Sequence, residues 1–200
     1  MSKVSTPKKN ATVKNTLSEV KNLSAQPQTS KVTVDPELKT DYNEIMLLHD
    51  SIKGIYWAEN HLVKSLPKVI NSCNSTELQT AITKHWELTK KHVSRLEKIF
   101  ELLKKDPLAK KSDGMEGLAK EGECIIENTL PGTLSRDLGI IMASQKIEHY
   151  EMATYTGIYK LALSQGLNNV AEILNQTLME EQEADNILSN IAEKLNKKNK

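Results

Sequence analysis

The sequence predicts an all-α fold, a four-helix bundle in which a long crossover carries a short fifth helix. Two observations lead to this prediction. Apolar residues recur at alternating steps of three and four along four long segments, which is the period of helices that pack in a bundle. Gly and Pro are few, and aromatic residues make up only 4% of the 200 residues, which fits helices better than a sheet.

The first hairpin is predicted from a helix over 36–71 and a second over 76–104. Asp35 is the expected N-cap of the first helix, with Pro36 at the first helical position, and Ser75 is the expected N-cap of the second. The inward face of the first helix is predicted to consist of Tyr42, Ile45, His49, Ile52, Tyr56, Glu59, Val63 and Leu66.

The second hairpin follows a crossover that starts with a polar connection over 105–113 and continues in a short helix over 114–128. Pro131 and Gly132 end that helix. Two long helices are then predicted over 134–165 and 168–196, with Gly166 just past the end of the former. Two hairpins joined in this way have the ferritin-like topology, which we expect to span residues 35–196 and to end in a frayed tail over 197–200.

The charges are divided unevenly along the chain. Residues 1–34 carry six Lys and one Glu, which leaves a charge of −4 for the rest of the chain. This segment has too little apolar surface to fold alone, so we expect a disordered basic tail. It contains neither Arg nor aromatic residues, so a solubilising role is favoured and a nucleic-acid partner is not expected.

Other features of the sequence indicate a cytoplasmic protein. Cys73 and Cys124 form neither a disulfide framework nor a zinc pattern, and reduced thiols are usual in the cytoplasm. No run of about 18 apolar residues is present to predict a transmembrane helix, and the N-terminal residues lack the apolar region of a secretory signal. No membrane partner is therefore expected.

Acidic and histidine side chains lie on the faces of all four long helices that should point inward, and no Lys or Arg shares those faces. Residues at equal distances from a hairpin turn lie level, so Glu59 should face His85, and Glu151 should face Glu181. Buried carboxylates without basic partners are costly unless cations or protons neutralise them. The candidate metal ligands are Glu59, His85, Glu148, Glu151, Glu181 and Asp185.

This set of donors predicts a site for two metal ions. Helical bundles that hold two ions use a carboxylate from each helix and histidine on two of them. Oxygen-rich coordination with some imidazole suits iron or manganese, so two Fe or Mn ions are the expected cofactors.

Several further polar residues lie near these positions. His92 is about 10 Å along the axis from His85, so we expect it to pair with His49 outside the metal layer. Tyr56 and Tyr155 are expected either to pack in the core or to hydrogen-bond to a ligand carboxylate. Glu87 and His149 lie off the strict inward faces, so we expect them at the flanks of the layer, although a small rotation of its helix would bring either one to the site.

Several stretches of the sequence resemble the bacterial YciE/YciF stress-protein family over about residues 40–190. They are Ile-Tyr-Trp-Ala-Glu-Asn-His-Leu at 55–62, His-Trp-Glu-Leu-Thr at 85–89, Met-Glu-Gly-Leu at 115–118, Ala-Ser-Gln-Lys-Ile-Glu-His-Tyr-Glu-Met-Ala at 143–153, and Thr-Leu-Met-Glu-Glu at 177–181. The resemblance implies a ferritin-like, di-iron carboxylate protein of the ferroxidase type that acts in stress responses as a homodimer.

The resemblance also implies which residues bind metal. It assigns ligand roles to five acidic residues and a contribution from the region of His85; the acids are Glu59, Glu148, Glu151, Glu181 and Asp185. Relatives typically read His-Leu-Glu-Glu-Thr where this chain has Leu88 in place of an acid, one turn from His85. One metal position is therefore expected to be weakened, or to be completed by Glu87.

Three functional hypotheses remain open from the sequence. The first is oxidation of Fe(II) with peroxide or dioxygen as the small oxidant, as protection under oxidative stress. The second is a manganese centre that dismutates peroxide as a catalase does. The third is a stress-induced helical bundle that acts by association, without enzymatic activity or bound metal. No residue in the sequence separates the first two.

Overall fold

A computed structural model describes residues 43–197, and this part of the chain is helical. Its five helices are α1 (Glu44–Ser72), α2 (Thr76–Leu102), α3 (Asp113–Asn128), α4 (Leu134–Ser164) and α5 (Asn168–Lys197). The all-α prediction is confirmed. The predicted tail at 1–34, the predicted cap at Asp35 and residues 198–200 lie outside the described residues. Within that described part, no helix combines the length and the apolar character needed to cross a membrane.

Polar side chains mark where four of the helices begin. Asn43, Ser75, Ser112 and Thr133 each accept a hydrogen bond from the backbone N–H three residues further on. The cap at Asn43 means that α1 begins at Glu44, later than the start expected at residue 36. The end of α4 is as predicted, since Gly166 follows it with a positive φ of 69° that suits glycine.

The long helices form the expected two hairpins, α1 with α2 and α4 with α5. Helix α2 also packs against α5 and α1 against α4, so the four surround one core, and α3 lies against α1 and α4. The predicted four-helix bundle with a crossover that carries a short helix is confirmed. The core contains many large, fully buried side chains, among them Leu48, Ile52, Ile55, Leu62, Leu78, Leu96, Ile99, Phe100 and Ile141.

The inward faces of α1 and α5 differ from the predicted ones at several positions. On α1, Leu48 and Ile55 are buried, whereas Ile45 is 46% exposed. On α5, Ala184 is buried instead of Asp185. A helix turns by about 100° per residue, so a choice that is wrong by one residue moves a side chain from the core to the flank.

Buried polar residues at the start of α4 join the two hairpins. The Asp137 carboxylate accepts hydrogen bonds from the backbone N–H groups of Asn74 (2.7 Å) and Ser75 (2.9 Å), in the turn between α1 and α2. The adjacent Arg136 donates to the carbonyl oxygens of Ile126 (2.6 Å) and Thr129 at the end of α3. These bonds fix the height of α4 relative to the first hairpin, and therefore the heights of the acidic side chains within the bundle.

Candidate metal centre

Side chains from all four long helices converge in the middle of the bundle and form two groups that share one residue. In each group, one potential ligand atom per residue lies within 4.8 Å of every other. The first group is His85, Glu148, Glu151 and Glu181; the second is Glu59, His92 and Glu181. We call these six residues the centre.

The polar atoms of the centre lack the partners that buried polar atoms usually have. Among the described residues, nine buried side-chain nitrogen or oxygen atoms have no hydrogen-bond partner, and eight of these belong to the centre. Both carboxylate oxygens of Glu151 and both of Glu181 are included. A buried polar group left without a partner costs about 1–3 kcal/mol. Oxygen and nitrogen atoms that are concentrated and unpaired in this way fit a site for cations.

Glu181 lies between the two groups. Its Oε1 is 2.9 Å from Nδ1 of His92, and its Oε2 is 3.9 Å from Nδ1 of His85. None of these four atoms has the geometry of a hydrogen bond, although the contact with His92 is within ion-pair distance. The two oxygens thus face different groups, so Glu181 could supply a ligand atom to either group.

His92 is oriented by residues behind it. Its Nε2 lies 2.9 Å from Oε2 of Glu180, and Arg95 donates to both oxygens of Glu180 at 2.6 and 2.8 Å. Burial by itself would raise the pKa of Glu180, but Arg95 and His92 outweigh it and lower that pKa to about 2. The ionised Glu180 holds the Nε2 side of the ring, so Nδ1 faces the centre. Metal-binding histidines are usually oriented by a carboxylate in this manner.

Of the two tyrosines considered from the sequence, one contacts the centre. The buried hydroxyl of Tyr155 donates to Oε1 of Glu59 at 2.6 Å. The hydroxyl of Tyr56 instead donates to Glu97 at 3.1 Å, away from the centre. Tyr155 therefore fixes the orientation of Glu59 and leaves its Oε2 unpaired.

Burial and mutual proximity shift the pKa values of the acids of the centre, and three of the four are raised. Burial, and then the neighbouring carboxylates, raise the pKa values of Glu148 and Glu151 well above normal. Burial also raises the pKa of Glu59. For Glu181, burial is outweighed by the contact with His92, and the pKa is lowered. Without cations, the acids of α4 are therefore harder to ionise than ordinary carboxyl groups.

The two histidines respond in opposite ways to this environment. Burial lowers the pKa of His85. Burial acts in the same direction on His92, but the carboxylates of Glu59 and Glu181 outweigh it and raise the pKa of His92 to about 11. With all protons removed, four carboxylates and two neutral imidazoles carry a charge of −4, which two divalent cations would neutralise.

Five of the six predicted ligands lie in the centre, and Asp185 lies outside both groups. The side chain of Asp185 is 18% exposed, accepts a hydrogen bond from Gln145 (3.1 Å) and lies 3.4 Å from His149. The cause is the rotation of α5, because Ala184 faces the core and Asp185 is displaced to the flank. Of the two flank candidates, His149 thus pairs with Asp185, and Glu87 pairs with Lys90 at 2.7 Å on the surface.

His92, which was expected outside the metal layer, belongs to the centre. Helix α1 ends at Ser72 and α2 begins at Thr76, so the turn is centred about two residues later than the sequence suggested. Glu59 is consequently level with Thr89, midway between His85 and His92, and both imidazoles reach the layer. Their spacing of seven residues on one helix face was the available signal. The expected pairing with His49 is wrong, since that ring packs edge-on against Phe100.

The comparison with known proteins agrees with this architecture. The family described as Domain of unknown function (DUF892) matches residues 44–200. The chain belongs to the DUF892 family. It is similar to Protein YciF of Escherichia coli K12, with 34% identity over 149 residues, which cover 74% of this chain and 87% of YciF. The resemblance to the YciE/YciF family is therefore confirmed.

Two solved structures have the same fold as this DUF892 chain. The E. coli stress protein YciF superposes with a TM-score of 0.75 at 30% identity, over 78% of this chain and 98% of that one. YcfI from Rhodopseudomonas palustris superposes with a TM-score of 0.71 at 29% identity, over 74% and 93% of the two chains.

Proposed function

We propose that this protein is a di-metal carboxylate protein of stress protection, in which the centre holds two iron or manganese ions and oxidises Fe(II) with peroxide or dioxygen. The observation that carries the proposal is the set of eight buried, unpaired polar atoms contributed by four helices. The relation to YciF, whose solved structure is described as that of a stress protein, supports the physiological context.

The donor set favours these metals. It comprises four carboxylates and two imidazoles, and the two Cys residues of the chain are not among them. Hard oxygen donors with some imidazole suit iron and manganese, whereas thiolates would favour zinc or copper. Two such ions, when bound, supply a two-electron exchange with dioxygen or peroxide.

The protein's residues contribute geometry, charge and exclusion of water. Glu181 offers one oxygen to each group, and the two α4 acids complete the first group together with His85. Glu180 and Arg95 fix the ring of His92, so that its Nδ1 faces the second group. The Tyr155 hydroxyl donates a hydrogen bond to Glu59 and restrains that carboxylate. The acids exchange protons for cations as the centre fills.

The proposal is tested by aerobic oxidation of Fe(II) by purified protein, followed by absorbance of the ferric product. The variant Glu181→Gln removes the shared carboxylate with little change in shape, and the expected rate falls to that of buffer. Glu172→Gln, at an exposed position on the same helix, is the matched control and should keep the wild-type rate. Equal rates for wild type, Glu181→Gln and buffer would remove the ferroxidase hypothesis.

The manganese alternative and the non-enzymatic alternative give different results in two simple measurements. Disproportionation of peroxide by manganese-loaded protein, without oxidation of Fe(II), would assign the catalase-like reaction. A melting temperature that is unchanged by Fe(II), Mn(II) or a chelator would favour a bundle that acts only by association. We expect stabilisation instead, about 2.7 kcal/mol when free metal exceeds its Kd a hundredfold.

The expected homodimer and cytoplasmic location stay predictions. Sedimentation of the purified protein tests the first, and cell fractionation tests the second.

A further inference from the structure

A cavity of about 610 Å³ lies between α1, α2, α4 and α5 and ends at the centre. Its volume is within the range of pockets that bind small organic molecules. Most of its wall is apolar and includes Leu62, Leu66, Ile82, Leu88, Ile147 and Leu188. Two residues of the centre, His85 and Glu148, form part of the same wall.

The residues of the centre differ in solvent exposure according to whether they line this cavity. His85 is 9% exposed and Glu148 is 3% exposed, whereas the other four residues of the centre have no exposed surface. The two residues that retain any contact with solvent are thus the two that line the cavity. Within the described part of the chain, the cavity is therefore the way by which a molecule reaches the first group of the centre.

The polar residues that line the cavity include exposed charged residues as well as two residues of the centre. Lys194 forms an ion pair with Glu77 (2.6 Å) near the opening, and exposed Lys84 and Glu183 belong to the same rim. The rim therefore carries both signs of charge and does not select an ion. At the inner end, the side chains of His85 and Glu148 line the wall with the little surface that they expose, while Nδ1 of His85 and Oε2 of Glu148 are buried beneath it.

We propose that this cavity is a binding site for a mainly apolar organic molecule of drug-like size, with a single hydroxyl or similar polar group directed to His85 and Glu148. The apolar wall would cover the hydrocarbon part of the ligand, and the side chains of His85 and Glu148 that line the cavity would meet its polar group. A substrate role for this molecule rests on the proposed metal centre, whereas its binding in the cavity does not.

Leu88 takes part in this selectivity. Its side chain forms part of the cavity wall. An acid at this position would place a charge against the hydrocarbon part of a ligand. The leucine keeps this part of the wall apolar.

The probe for the test is 4-propylphenol, titrated by calorimetry into metal-free protein. We expect saturable binding by wild type and at least tenfold weaker binding by Ala184→Phe, which places a ring in the cavity. Ala153→Phe, at an exposed position on α4 outside the cavity, should bind as wild type does. Ile187→Trp, at the partly exposed edge of the cavity, is a second blocking variant, and circular dichroism confirms that each variant folds.

Two results of the titration would overturn the proposal. One is the absence of saturable binding to wild type. The other is equal binding by wild type and both blocking variants. If the probe does not bind and Ile187→Trp converts a dimer to a monomer, the surface is an interface between copies.

A second experiment separates this proposal from that of the metal centre. Protein loaded with Mn(II) should broaden the proton resonances of bound 4-propylphenol far more than protein with Mg(II), because the probe ends beside the centre. Binding of Mn(II) without this broadening would refute the position of the ligand. Failure of Mn(II) to bind would refute the metal centre, and calorimetry on the metal-free protein would still decide whether the cavity binds the probe.

Discussion

Replacement of Glu151 by leucine should stabilise the metal-free protein, although Glu151 is fully buried. Neither of its carboxylate oxygens has a hydrogen-bond partner. A buried polar group in this condition costs about 1–3 kcal/mol, and an apolar side chain of similar volume removes that cost. We expect Glu151→Leu to raise the free energy of unfolding by about 2 kcal/mol, which corresponds to about 4–8 °C in Tm for a domain of this size.

The pH dependence of stability gives the same variant a second signature. Burial and neighbouring carboxylates raise the pKa of Glu151 in the folded state, so this state binds a proton that the unfolded chain releases above about pH 4.5. Stability of the metal-free wild type should therefore fall as pH rises above that value, by up to about 1.4 kcal/mol per pH unit for each such acid. Glu151→Leu should reduce the slope of the free energy of unfolding against pH by the contribution of one acid.

Urea unfolding of the chelator-treated protein, followed by circular dichroism between pH 5 and 8, measures both effects. Glu172→Leu is the matched control, since this residue is exposed on α5 and its replacement should change stability by about 0.5 kcal/mol or less. The variant should also lose the rise in Tm that Mn(II) gives to wild type. A loss of 2 kcal/mol or more in metal-free Glu151→Leu would refute the reasoning, because it would mean that the carboxyl group makes stabilising contacts.

Three further predictions concern the surroundings of the centre. Arg95→Gln removes the ion pair that holds Glu180 against His92, and it should weaken Mn(II) binding about 10–100-fold by calorimetry. Lys98→Gln, on the exposed face of the same helix, should leave the affinity unchanged. Equal affinities of the two variants would contradict the orienting role of Arg95. Asp185→Asn should leave Mn(II) affinity within about twofold, because its side chain lies outside both groups; a large loss would return Asp185 to the ligand set. Binding of two ions should release protons, because the pKa values of the two acids of α4 and of His92 are raised, so affinity should rise with pH. Calorimetry in buffers of different ionisation enthalpy measures this release, and binding without any net release would contradict the raised pKa values.

The helical period predicted the bundle well, because a repeat of three and four apolar residues is a local property of the chain. It also identified Glu59, Glu148, Glu151 and Glu181, since acidic residues on a predicted inward face stand out against apolar neighbours. The helical period does not predict accurately how each helix is rotated about its own axis. On α5, the choice between Ala184 and Asp185 decides whether a carboxylate faces the centre, and the local pattern at those two positions supports either.

The outcome for His92 shows a different limit. Heights across a hairpin depend on where the turn is centred, and an error of two residues at the turn displaces the facing position by about four residues on the second helix. Because of this displacement, the sequence places only His85 level with Glu59 and predicts that His92 lies outside the metal layer. The turn's position is held by Asp137, a residue of the other hairpin, which the sequence of the turn does not reveal.

The amino-acid sequence by itself determined the class of fold, the order of the helices, the family, and the accumulation of acids in the interior, because each of these follows from residues that are near one another in the chain. Only the tertiary structure decided that His92 joins the acids and Asp185 does not, that Glu180 and Arg95 stand behind His92, and that an apolar cavity reaches the centre. These features depend on the rotation and height of helices relative to one another. Both are set by packing between segments distant in the sequence, and no local pattern carries them.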